Sequence, residues 1–379
     1  MNESGKATGG RLTSGSRLCE DLDVRLPYLK QHGGGCMAYS TLAEDVEAFV
    51  VPDLGYVAYA RQRLLGERVF VLADPIAPPE RWGEILDLFL AQRPRAVFVQ
   101  IGERTAALLR ERGRVVNEMG TETDIDVPSF KLSASKRKSV TYMCNVAKRS
   151  APVLREIPAA ELPHERLRAI SDEWIGTRVA THRELSFLTR KAVFADEPGV
   201  RKFYAFVQDE LIGYAFFSPM YEDGRTIGYH FDIHRQIPED PAARKAKAEQ
   251  DEESGGADEG PRGTRIPELL AKGIHGSPRG LSYWILVEAI KLFQQEGVRT
   301  LSLGLSPYHD VNDTGEGFSP FTRWLFRTSY SKLGWAYNSA GNADFKLRWK
   351  GTTKKVYVGL RGRYPLLDLL AVYRLCGAI

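Results

Sequence analysis

RKFYAFVQDELIGYAFFSPMYEDGRTIGYHFDI, residues 201–233, is the stretch whose reading decides the fold. Arg201–Gln208 and Leu211–Met220 are runs rich in aromatic and aliphatic residues, separated by Asp209-Glu210, and they read as antiparallel strands joined by a tight turn. Thr226–Ile233 reads as a third strand. Downstream, Leu281–Gln295 repeats apolar residues at helical spacing and is closed by Gly297, and Thr300–Leu305 reads as a fourth strand. Upstream, Leu162–Thr177 carries Leu167, Ile170 and Trp174 on one side of a predicted helix.

The first half of the chain shows the same rhythm. Val50–Val57 and Arg68–Leu72 read as strands, Pro79–Gln92 as a helix with Trp82, Ile85, Leu86 and Phe89 in register, Ala96–Ile101 as a strand, and Thr105–Arg112 as a helix stopped at Gly113. Leu132–Lys148 is a basic segment expected to be helical. Strands alternating with helices imply an α/β (α+β) layered fold, and the similar order of the two halves is compatible with duplication. With 379 residues, two domains are expected: a disordered polar tail over 1–20, an N-terminal domain over 21–158 and a C-terminal domain over 159–379. The second carries an acidic insert, 238–262, with almost no apolar residue larger than alanine, read as a flexible solvated loop.

The composition, 43% hydrophobic and 26% charged, is that of a globular protein, and no apolar run is long enough to span a bilayer. The start lacks the apolar core of a signal peptide, so a cytoplasmic protein is expected. Four cysteines without C-x-x-C spacing argue against a disulfide framework or structural zinc. Seven histidines show no ligand spacing, so no metal site is expected; there is also no P-loop and no dinucleotide fingerprint.

Net charge is +4, but its distribution is uneven. Lys131–Arg155 holds seven basic residues and no acid, Asp344–Arg363 seven basic residues and one acid, and Gln236–Glu259 eight acids against three bases. The second basic zone overlaps the band YNSAGNADFKLRWKGTTKKVY, Tyr337–Tyr357, where Phe345–Trp349 reads as a strand. On a strand Lys346 and Arg348 would share one face and Phe345, Leu347 and Trp349 the other, a cationic face suited to an anion.

Three further constellations have chemical potential. Asp232-Ile233-His234-Arg235 ends the third predicted strand, where a carboxylate and a guanidinium suit an ammonium group and an ester or phosphate, although a local ion pair is the simpler reading. Ser277-Pro278-Arg279-Gly280 opens a helix, a place for an anion, but its glycines are too far apart for a good coenzyme A loop. Ser302–Tyr308 exits its strand abruptly through Gly304 and Ser306-Pro307, outside any G-x-S-x-G elbow.

In their order, these motifs resemble the catalytic C-terminal domain of the phosphatidylglycerol lysyltransferase (aminoacyl-phosphatidylglycerol synthase) family. The resemblance rests on Asp232-x-x-Arg235, on Pro278-x-Gly280, on Leu303-Gly304-x-x-Pro307, and on the closing block Tyr337-Asn338-x-x-Gly341, Phe345-Lys346-x-Arg348-Trp349 and Tyr357. Gly55–Tyr59, Asp74-Pro75-Ile76 and the basic run Lys136–Arg149 extend it to about Arg25. Departures are Tyr283, where the family often has an acid, Val356, where it has an arginine, and the absence of the large membrane domain that precedes this region in the lipid enzymes.

The resemblance implies two tandem GNAT-like acyltransferase domains with mixed, largely antiparallel sheets. It implies aminoacyl-tRNA as co-substrate, with no other cofactor, and transfer to a hydroxyl or amine acceptor. That acceptor is a phosphatidylglycerol-type lipid or, as in soluble relatives, a small-molecule natural-product intermediate. Asp232, Arg235, Lys346 and Arg348 are then the expected catalytic residues: Asp232 for the amino group, Arg235 for the ester or acceptor, Lys346 and Arg348 for the oxyanion or terminal phosphate. Tyr308, Tyr337, Tyr283, Gly280 and Ser306 are expected to line the substrate. Lys136, Arg137, Lys138, Lys148 and Arg149 are expected to meet tRNA phosphates. The apolar segment Tyr364–Leu375 is either a helix packed on the last sheet or a peripheral membrane contact. Two alternatives stay open at this point, a coenzyme A-dependent N-acyltransferase and a non-catalytic RNA-binding protein.

Overall fold

The computed structural model describes residues 14–63, 66–133, 135–177, 184–239, 274, 276–332 and 339–377. Helix α1 (Ser14–His32) and a short 3-10 turn at Tyr39–Leu42 lead into β1 (Glu47–Val51), β2 (Gly55–Gln62) and β3 (Arg68–Leu72). Helix α2 (Trp82–Gln92) crosses over to β4 (Val97–Ile101), and α3 (Glu103–Glu111), β5 (Val115–Asp126) and α4 (Lys138–Lys148) complete the first half. The second half comprises β6 (Val153–Glu156), α5 (His164–Gly176), β7 (Arg201–Val207), β8 (Glu210–Glu222), β9 (Arg225–Gln236) and α6 (Leu281–Gln295). It ends with β10 (Thr300–Pro307), α7 (Pro320–Lys332), α8 (Ser339–Leu347), β11 (Thr352–Leu360) and α9 (Leu366–Leu375).

The three strands expected in residues 201–233 form an antiparallel meander, β7-β8-β9, but the turn is Gln208-Asp209 (φ 51° and 61°), one residue earlier than the expected Asp209-Glu210, because Glu210 already pairs with Val207. Among the described strands, parallel pairing occurs at β3–β4 and β9–β10, each time across a helical crossover, α2 or α6. All strands join one sheet in the order β1-β2-β3-β4-β11-β5-β10-β9-β8-β7-β6, with the remaining pairs antiparallel. This is the expected α/β layering, with a mixed, largely antiparallel sheet.

The two halves trade their last strands. β5 leaves β4 to pair with β10 of the second half, while β11, from the second half, inserts between β4 and β5. The cores therefore cut across the division expected at 158/159. Val140, Cys144 and Ala147 of α4 join the core of β7–β10 and α6, whereas Val358 and Leu360 of β11 and Leu369 and Val372 of α9 join that of β1–β4.

Two local expectations are corrected. Val50–Val57 is a hairpin rather than one strand, because Pro52 cannot donate to a ladder and Asp53 takes a left-handed conformation (φ 59°) ahead of Gly55. The band around Lys346 is helical, not extended: α8 runs over Ser339–Leu347, held by an Asp344–Arg348 pair at helical spacing. Lys346 and Arg348 consequently point to different sides, one buried and one half-buried. Helix α1 begins at Ser14, so the expected disordered tail is shortened; residues 1–13, Tyr337 and the insert beyond Glu239 lie outside the described residues.

Candidate functional site

A row of polar residues crosses the middle of the sheet. Ser218 on β8 lies opposite His230 on β9, His230 opposite Ser302 on β10, Ser302 opposite Asp124 on β5, and Asp124 opposite Thr352 on β11. Cross-strand partners share a face, so the five side chains form one line. The first four are buried; Thr352 reaches solvent. The opposite face packs Phe293 of α6 on Phe203, Phe217 and Tyr229, as an ordinary core would. A polar row beneath cover costs stability unless each member is satisfied, and here it is not: Nδ1 of His230 is buried without a partner among the described residues. Beyond His230 and Ser302 the register is broken on both strands, by Asp232 bulging from β9 and by Gly304 (φ 73°) in β10. A Cβ at Gly304 would lie 2.5 Å from Nε2 of His230, so glycine is what lets the imidazole lie there.

At one end of the row the Asp232 side chain, 5% exposed, receives Ser218 Oγ at 2.6 Å and Arg190 Nη1 at 3.0 Å on Oδ2. Arg190 also pairs with Glu197, Glu197 with Lys202 at 3.0 Å, and the Arg190 guanidinium lies over the Tyr39 ring. Burial alone would raise the Asp232 carboxyl; Arg190 and the hydrogen bonds hold it below its ordinary value, so it is an anion. Oδ1 has no partner among the described residues and remains available to a cation. Asp232→Ala is expected to cost about 3 kcal/mol in a denaturant titration, because it breaks a buried charge network, whereas Asp232→Asn keeps the Ser218 bond and costs less than half of that.

Further along, Lys346 of α8 is buried and donates from Nζ to Leu305 O at 2.6 Å, its only bond among the described residues. Leu305 pairs with Glu122 of β5, whose carboxylate receives the Cys36 thiol. Burial, together with Asp124 and Asp74, pushes Glu122 up to about 7 against the bond from Cys36, and burial pulls Lys346 down to about 8 against the pull of Cys36 and Glu122. Two groups of opposite type thus titrate close to neutrality within one buried cluster, the environment of an acid–base pair. The far end is marked by Lys354, paired with Asp124 at 2.7 Å.

The other expected residues are dispersed. Arg235 does not bond Asp232: it stacks on Trp174, 3.7 Å from the ring centroid, bonds Glu184 at 3.3 Å, and its buried Nε has no partner among the described residues. Glu184 also lines a cavity of about 430 Å³ beside α5. Arg348 stays on the surface with Asp344, so it is not part of the buried cluster. Tyr283 belongs to an aromatic stack with Phe345 (4.8 Å) and Trp349 (5.9 Å). Gly280 is left-handed (φ 83°) and packed so closely on the Met143 carbonyl that any side chain would collide; it is required for α4–α6 packing. Ser306 is buried in β10 with no partner for Oγ among the described residues, and Tyr308 turns out of that strand (φ 62°) to meet the Tyr373 hydroxyl.

Of the basic run, Lys136, Lys138, Lys148 and Arg149 are exposed. Arg137 is not: it is buried over Phe130 and donates to Trp349 O at 2.9 Å and Lys131 O at 3.2 Å. Its position in a charge run concealed a tertiary clamp. Arg137→Ala is expected to lower stability by about 2 kcal/mol, read from the urea midpoint.

Glu122, Asp124, Cys36, Arg190 and Ser218 were not anticipated from sequence. One signal was present: the run Val115–Asp126 places Thr121, Glu122, Thr123 and Asp124 in succession between apolar residues, an unusual load for a strand that turns out to be central.

Among the described residues no helix is long and apolar enough to cross a membrane. The family model described as "Phosphatidylglycerol lysyltransferase, C-terminal" matches residues 27–243 and 270–359. A phosphatidylglycerol lysyltransferase of Bacillus subtilis (strain 168) is 21% identical over 362 residues, covering 92% of this chain and 36% of that protein. Its counterpart in Staphylococcus aureus (strain MRSA252) is 22% identical over 237 residues, 60% of this chain and 26% of the relative. The chain thus spans about a third of the length of these relatives. Two solved structures share the fold. L-PGS from Bacillus licheniformis gives a TM-score of 0.69 at 18% identity, covering 95% of this chain and 97% of that one. The C-terminal domain of a putative lysylphosphatidylglycerol synthetase from Agrobacterium fabrum gives 0.68 at 17%, covering 96% and 99%. With the family model matched over most of its length and the fold shared from end to end, this chain belongs to the phosphatidylglycerol lysyltransferase C-terminal family.

Proposed function

We propose that this protein is an aminoacyltransferase that moves an aminoacyl group from charged tRNA to a hydroxyl acceptor on a phosphatidylglycerol-type lipid. The observation that carries the reading is the buried polar row with Asp232 at one end and Glu122 and Lys346 further along it. Such a row is a poor way to stabilise a sheet and a good way to line a reaction path. Asp232 Oδ1 receives the ammonium of the aminoacyl group. Glu122 takes the proton of the acceptor hydroxyl as its oxygen attacks the ester carbonyl. The free N–H groups of Lys346 face the oxyanion that forms, a contribution of roughly 100-fold to 1000-fold in rate for such donors. As the bond to the ribose oxygen breaks, that oxygen takes the proton back from Glu122, and no net charge is left behind.

The coenzyme A reading fits less well, because the Gly280 turn is packed on Met143 rather than open as a pyrophosphate cradle. The exposed cations of the α4 region suit the tRNA backbone. Replacing Lys136, Lys138, Lys148 and Arg149 together by Ala is expected to reduce the slope of log affinity against log salt by about 3, measured by filter binding. Incubation with a mixture of radiolabelled aminoacyl-tRNAs, with and without total lipid extract, tests the reaction. Label in a lipid product supports the proposal, label in a water-soluble product moves the acceptor to a small molecule, and no transfer with either overturns it. Equal affinity for charged and uncharged tRNA, without transfer, would favour a binding protein.

A further inference from the structure

Helices α7 and α9 build a surface that neither helix displays alone. Phe321 of α7 contacts Trp324 (5.9 Å between ring centroids) and Tyr364 (5.8 Å), which joins the first turn of α7 to the entry of α9. Around this contact Trp324 is 59% exposed, Tyr364 79%, Leu366 56%, Leu367 48% and Leu370 44%. The inner side of α9, Leu369, Ala371 and Val372, is already packed on the core of the first half. Helix α9 is therefore apolar on both sides, where a surface helix in water carries polar residues on its outer one.

The exposed charge carried by these two segments has one sign. Arg327, Arg363 and Arg374 are exposed, and neither Pro320–Lys332 nor Arg361–Leu375 contains an acid except Asp368. Asp368 is buried and held by Arg68 at 3.1 Å and by Arg361 at 2.8 Å. Trp and Tyr beside leucines, flanked by arginines that have no acidic partner among the described residues, match the boundary between lipid headgroups and acyl chains, and they match an anionic boundary best.

We infer that the α7–α9 face docks the protein on the surface of an anionic bilayer, with Trp324, Tyr364, Leu366, Leu367 and Leu370 entering the headgroup region and Arg327 and Arg363 meeting lipid phosphates. The face is coupled to the candidate site: Tyr373 of α9 meets the Tyr308 hydroxyl at the end of β10, three residues beyond the carbonyl that holds Lys346. The inference rests on the lipid-acceptor reading for its purpose, but docking is measurable without any reaction.

The test is co-sedimentation with vesicles of phosphatidylcholine alone or with phosphatidylglycerol added. Wild type is expected to bind the mixed vesicles. A variant with Trp324→Ser, Tyr364→Ser and Leu367→Ser, all exposed positions, should bind at least ~10-fold more weakly with an unchanged Tm. Arg327→Gln with Arg363→Gln should lose preference for the anionic vesicles, on the order of 5-fold per arginine. Lys346→Met should bind vesicles like wild type, which separates failure of docking from failure of the reaction. Failure of wild type to bind mixed vesicles, or unchanged binding by the serine variant, overturns the inference. So does a concentration-dependent dimer that the serine variant disperses without any vesicle binding, an outcome that would assign the face to a second copy of the chain.

Discussion

Replacing Lys346 by Met is expected to raise the stability of the protein while lowering transfer at least ~100-fold. The two effects have one cause. Lys346 is buried, and burial pulls its ammonium from an ordinary 10.5 down to about 8. A group with a depressed pKa binds fewer protons in the folded state than in the unfolded chain between those two values. Its contribution is therefore destabilising below about 8 and is relieved as pH rises toward 10.5. At pH 7 that cost is on the order of 3 kcal/mol, against about 1 kcal/mol for the lost bond to Leu305 O, so the variant should gain about 2 kcal/mol. The gain should shrink as pH is raised from 8 to 10. Chemical denaturation at several pH values, beside an aminoacyl-transfer assay, checks both halves. A variant that unfolds more easily at pH 7, or that keeps full activity, removes Lys346 from the proposed chemistry. Glu122 works in the opposite sense: pushed up to about 7, it costs stability as pH rises through that value, so Glu122→Gln should gain most above pH 7.

A chain ending at Gly351 is expected to lose the folded state of both halves. β11 lies between β4 and β5, and Val356, Tyr357, Val358 and Leu360 are buried in it. Its removal strips hydrogen-bond partners from two strands at once, in the middle of the sheet. A loss of that size exceeds the roughly 5–15 kcal/mol by which domains are usually stable. Circular dichroism, size exclusion and limited proteolysis read the outcome. A truncated protein retaining a protease-resistant first half with a cooperative melt would show that the halves are independent.

Much of the architecture was legible because apolar periodicity reports burial directly. The meander β7-β8-β9, the crossover helices α2 and α6, and β3, β4 and β10 all bury apolar residues at regular spacing. The same signal fails at β5 and β11, the two strands that lock the halves together. β5 is loaded with Asn117, Glu118, Thr121, Glu122, Thr123 and Asp124, and β11 begins with Thr352, Thr353, Lys354 and Lys355. Their polarity, which hides them as strands, belongs to the candidate site they line. Lys346 was singled out on a local picture that does not hold, since its segment is a helix. Arg137 and Arg235 show the converse, cations that look alike in sequence but whose positions are fixed by Phe130 and Trp349 in one case and by Trp174 and Glu184 in the other.

By itself, the sequence determined the layered α/β class, the order of its helices and most strands, and the family signature running from Asp232 to Tyr357. These depend on spacing within short segments, which local geometry translates into faces and turns. Only the tertiary structure decided which strands are neighbours, and with that which polar residues meet. Glu122 and Lys346 are more than two hundred residues apart, and their proximity depends on the strand exchange between the halves. The register that lines up Ser218, His230, Ser302, Asp124 and Thr352 is likewise a property of five strands at once, set by long-range pairing and by the kinks at Asp232 and Gly304.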